Sequence, residues 1–91
     1  MYHGTLVLMA IEVERVQTGV RLEKRLLKVL KALAELKDVS LGDLLEGIVL
    51  HVFEGKTPFS PQTLREIDQL RKIYGLTLKA SDSHRMKERL K

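Results

Sequence analysis

The chain contains no cysteine and no tryptophan. Without thiols there is neither a disulfide framework nor a thiolate metal site, and a reducing compartment such as the cytoplasm suits it. Aromatic residues stop at Tyr2, Phe53, Phe59 and Tyr74. That is too sparse for a platform stacking single-stranded bases, and it also speaks against a sugar or nucleotide pocket. The longest apolar run is TLVLMAI, residues 5–11, far short of the roughly 20 residues that span a bilayer. No basic n-region with a small-residue cleavage site accompanies it. The expectation is a soluble, cytoplasmic chain without a membrane partner.

What is present suits one small domain of 91 residues, with 44% apolar residues for a core and 31% charged residues for a surface. The net charge is +4, and its distribution says more than its total. Residues 1–59 hold as many acidic as basic side chains, so the whole excess falls in residues 60–91. A second asymmetry lies at Arg21, Lys24, Arg25, Lys28, Lys31 and Lys37, opposed locally only by Glu23 and Glu35. A basic strip and a basic tail suit an anionic partner such as DNA. A solvated helix face and a solubilising tail explain either feature taken singly.

Residues 16–22 alternate, with Val16, Thr18, Val20 and Leu22 against Gln17, Gly19 and Arg21. That period of two predicts a strand. Leu26, Leu27, Leu30, Leu33 and Ala34 then follow helical spacing and predict a helix over about 24–37. Ser40 is a good N-cap, with Asp43 three residues later as a weak capping box. A second stripe runs through Leu41, Leu44, Leu45, Ile48, Val49, Val52 and Phe53 up to Gly55. Gly47, inside this helix, predicts close approach of another helix. After a linker over 56–61, Ser60 and Pro61 open a third helix. Its stripe is Leu64, Ile67, Leu70, Ile73 and Tyr74, and Gly75 ends it. Residues 76–80 read as extended, ahead of a last helical turn or a frayed basic end.

A strand and two short helices within 16–55 bury little surface on their own, and a lone strand has two unpaired edges. Both needs are met if two copies pair their strands antiparallel and interlock their helices. The stretch TGVRLEKRLLKVLKALAE followed by DVSLGDLLEGIV resembles the ribbon-helix-helix DNA-binding domains of the Arc, MetJ and CopG type. The resemblance covers residues 17–54. It implies a mainly α fold in which one N-terminal strand pairs antiparallel in a homodimer with two core helices. A C-terminal helical extension follows. The domain plan is an N-terminal extension over 1–15, a dimerisation and DNA-binding core over 16–55, the linker, and a helix with a basic tail over 62–91.

By position, the resemblance assigns base reading in the major groove to Gln17, Gly19 and Arg21. Gln suits adenine and Arg suits guanine, while Gly19 leaves the middle of that face without a side chain. Phosphate contacts fall to Ser40, Leu41 and Gly42 at a helix N-terminus, with Lys24 and Arg25 beside them. The dimer core falls to Val20, Leu22, Leu30, Leu44 and Ile48. The implied partners are double-stranded DNA and a second copy. The part over 62–91, outside the resemblance, is expected to add a second function: a protein partner, further association of dimers on DNA, or phosphate contacts from Arg85, Lys87, Arg89 and Lys91.

Other constellations are weaker. His3, His51 and His84 lack metal-ligand spacing. Glu12 and Glu14 have no neighbouring nucleophile or base to complete a catalytic site, and GVRLEK is not a phosphate loop. Neither an enzyme, a metal nor a cofactor is expected. The expected function is that of a small transcriptional regulator or antitoxin-like repressor. The alternative is a dimeric protein–protein interaction module that binds no DNA.

Overall fold

The computed structural model describes residues 10–89. The apolar run up to Met9, together with His3 and the basic Lys91, lies outside the described residues. Among the described residues three helices follow in order, α1 over Lys24–Lys37, α2 over Leu41–Phe53 and α3 over Pro61–Tyr74, then a 3-10 turn over Ala80–Asp82.

Each helix begins and ends where local chemistry permits. Ser40 Oγ accepts from the Asp43 N–H at 3.0 Å, and Ser60 Oγ accepts from the Thr63 N–H at 3.2 Å. Both satisfy one of the free donors of a first turn. α1 is capped differently, by the Glu23 carboxylate accepting from the Leu26 N–H at 2.8 Å. α1 closes at Asp38 with φ 59°, and α3 closes at Gly75 with φ 68°. At Gly75 the chain turns far enough for the Leu76 N–H to reach the Arg71 carbonyl at 2.8 Å, which brings Leu76 back into the protein interior.

α1 is the organising element, packed against α3 along its length and against α2 at a shorter contact. Leu33 is 2% exposed and sits with Ala34 and Leu44 at the centre, surrounded by Leu30, Ile48, Phe59, Ile67 and Leu70. α3 turns Thr63, Ile67 and Leu70 inward and leaves Leu64 and Ile73 in solvent.

The expected ribbon-helix-helix architecture is corrected here. No strand forms among the described residues, and residues 16–22 run as an exposed arm without ladder partners. The alternation of Val16, Val20 and Leu22 favours a pleated backbone, but a strand exists only when another strand supplies its hydrogen bonds. The described chain offers none. The mainly α character holds. A Cβ built at Gly47 meets nothing within 4 Å, so no helix among the described residues of this chain supplies the close approach expected there.

Much apolar surface is left uncovered. Val16 is 78% exposed and Phe53 is 79% exposed, with Ile11, Val13, Val20, Val49, Leu50 and Val52 also open.

Candidate nucleic-acid interface

The arm extends upstream over residues 10–15, also exposed, and is tied down at Arg15. Its guanidinium donates to both carboxylate oxygens of Glu46, at 2.9 and 2.8 Å, and to Asp43 at 3.2 Å. Asp43 and Glu46 are three residues apart and therefore share one face of α2. The hydrogen bond and charge of Arg15 hold the Glu46 carboxyl below the usual range, and Glu46 in turn raises Arg15. Beside this clamp, Ile11 and Val13 of the arm and Leu45, Val49 and Leu50 of α2 line an open apolar groove.

Beyond the clamp, Gln17, Gly19 and Arg21 all lie on the exposed arm. Gly19 has open space around it. Arg21 is the last cation before α1, and its Nε donates to Glu88 at 3.0 Å, with Nη2 donating to the second carboxylate oxygen. That hydrogen-bonded pair lowers the Glu88 carboxyl and raises Arg21. Lys24, Lys28 and Lys31 continue the positive row at i, i+4 and i+7 on α1, all exposed. None of these lysines has an ion-pair partner among the described residues. Arg25 points elsewhere, its Nη1 donating to the Gly75 carbonyl at 3.2 Å.

The α2 N-terminus presents Ser40, Leu41 and Gly42 at the surface, with Leu41 half-buried. Its free amides and positive dipole end would suit an anion. The Ser40 hydroxyl is engaged as a cap, however, and the neighbouring Asp43 carries negative charge already matched to Arg15. No hydrogen bond or ion pair among the described residues joins this turn to Gln17, Gly19 or Arg21; Arg15 is the link between arm and α2.

Nothing matches the chain among family models, curated proteins or solved structures. The resemblance to ribbon-helix-helix domains gains no support from outside the chain, and the functional reading rests on its own residues.

The proposed dimer-core positions divide. Leu30, Leu44 and Ile48 pack within the single chain, whereas Val20 and Leu22 remain in solvent. Among the described residues, no group of three or more His, Asp or Glu is placed to hold a metal ion. His51 Nδ1 lies 2.6 Å from the Gly47 carbonyl, one turn earlier on the same helix. No helix of the described residues is long and apolar enough to cross a membrane.

Sequence reasoning passed over three residues. Glu23 is not among the preferred capping types, yet its carboxylate does the same work as a Ser hydroxyl. Arg15 had a signal in the Asp43 and Glu46 spacing, which offers two carboxylates on one helix face. Glu88, 67 residues from Arg21, had none, because nothing local predicts a contact of that span.

Proposed function

We propose that the protein is a homodimeric, sequence-specific double-stranded DNA-binding protein, a small cytoplasmic transcriptional regulator of the antitoxin-like repressor kind. The observation that carries this reading is the cationic row. Arg21, Lys24, Lys28 and Lys31 stand exposed in succession, and Gln17 accompanies them on the arm. Gln17 and Arg21 carry the side chains that read adenine and guanine edges, while the lysines suit phosphates. The open apolar surface of the arm and outer α2 supports self-association, since a large contiguous apolar patch marks an interaction site. Leu64 and Ile73, on opposite sides of α3, are further exposed apolar side chains open to a protein partner.

The test is selection of binding sites from random duplex DNA, followed by a salt titration with the selected site. Affinity is expected to fall steeply with salt, as counterions released from the duplex require. Replacing Arg21 with Ala should cost about 1–3 kcal/mol at one base position and relax the choice of base there. Absence of duplex binding at low salt would reject the reading.

The second reading, a dimeric interaction module without DNA binding, is favoured by the exposed side chains of Val49, Val52 and Phe53. It predicts the same dimer in sedimentation and no duplex bound. A folded monomer at micromolar concentration would reject both readings.

A further inference from the structure

After α3 the chain turns back toward the start of α1. The buried Leu76 anchors the return, and Arg71 Nη2 donates to the Leu78 carbonyl at 2.8 Å. The Lys79 N–H donates to the Asp82 carboxylate at 2.8 Å, which closes the 3-10 turn. His84, at φ 68°, reverses the backbone once more, and Met86 and Lys87 then line a cleft together with Glu23 and Arg25. The last contact is the fork of Arg21 on both carboxylate oxygens of Glu88. The Gly75 carbonyl at the root of this segment holds Arg25. One segment, residues 75–88, therefore engages Arg21 at the head of the candidate DNA face and also Arg25, which points away from that face.

We infer that this segment is an autoinhibitory clasp, in which the Glu88 carboxylate occupies the guanidinium fork of Arg21 that duplex DNA would otherwise take. The inference rests on the reading that Arg21 faces DNA. A carboxylate presents two oxygens side by side to the guanidinium, as guanine presents O6 and N7. One arginine fork cannot serve both. Arg21 is 83% exposed and Glu88 is 55% exposed, so the pair is screened and opens readily. A clasp of this strength competes with DNA without blocking it. It lowers the affinity of every DNA complex that uses the Arg21 fork by one and the same factor, set by the fraction of chains in which the fork is free.

The experiment is a double-mutant cycle on the full chain: wild type, Glu88→Gln, Arg21→Ala and the double variant. Each is titrated at low salt into a fluorescein-labelled pool of random-sequence duplex DNA. Glu88→Gln should tighten binding about two- to five-fold, the range open to an exposed ion pair. The gain should vanish in the Arg21→Ala background. Thermal melts confirm that each variant is folded, as expected for changes at exposed side chains. Equal gains in both backgrounds would assign the effect to net charge and overturn the clasp. No gain in either background would overturn it too, with the DNA reading left intact. If no variant binds the duplex pool, the DNA reading falls, and the clasp falls with it.

Discussion

The contact of α1 with α3 and the outer face of α2 are built from the same kind of residues and meet opposite fates. Leu33 and Ala34 on α1 are almost completely buried, with Ile67 and Leu70 of α3 packed against them. Val49, Val52 and Phe53 follow an equally regular helical stripe on α2 and stand in solvent. The difference lies in what each stripe meets. α3 returns along α1 and covers it, whereas nothing among the described residues covers the outer face of α2 beyond the arm residues Ile11 and Val13. A stripe records that a helix face is apolar. It does not record which chain supplies the cover.

The sharpest break in that comparison comes from truncating one member of each set. Leu33→Ala should destabilise the fold by about 2–5 kcal/mol, from lost burial together with the cavity left behind. Phe53→Ala should leave the helical core of the single chain nearly unchanged in urea denaturation at low protein concentration. It should instead weaken self-association in sedimentation, as should Val49→Glu. Equal destabilisation of the monomer by Leu33→Ala and Phe53→Ala would erase the distinction between the two faces.

Ser40→Ala tests the start of α2, and about 1 kcal/mol should be lost through the missing cap. A melt at fixed protein concentration measures it, because association contributes to apparent stability. Gly47→Ala is expected to act in the opposite sense. The site has room for a Cβ within the chain, so the exchange should stabilise α2 by roughly 0.5–1 kcal/mol. Should the same change weaken dimerisation, the close helix approach expected at Gly47 belongs between two copies.

The smallest effect is on the arm. Glu46 sits below the usual carboxylate range because Arg15 hydrogen-bonds it, so its contribution is complete at and above the ordinary Glu range. It is lost as pH falls through the lowered folded-state value. Carboxylate chemical shifts of Glu46 followed on acidification should show this depressed titration. Arg15→Gln should return Glu46 toward its ordinary value and free the arm from α2. An unchanged titration in that variant would rule out the clamp.

Helix content was legible because its determinants are local. The periodicity of Leu26 through Ala34 marks α1, Ser60 with Pro61 marks the start of α3, and Gly75 marks its end. Each works through residues within one or two turns of itself. The alternation over 16–22 is local too, but it specifies only a backbone preference. Its hydrogen-bond partners have to come from elsewhere, so the expected strand did not follow from the pattern. The candidate site divides the same way. The cationic row of α1 was readable from spacing, whereas the engagement of Arg21 by Glu88 and of Arg15 by Asp43 and Glu46 was not.

The sequence by itself determined three amphipathic helices, their caps, a chain without thiol chemistry and a basic row at the head of α1. Only the tertiary structure decided that α1 is covered by α3, that the outer face of α2 stays open, and that the C-terminal segment returns to Arg21. The physical reason is range. Capping and periodicity act within a few residues, while cover and charge pairing depend on where the chain has been brought by turns far away in sequence.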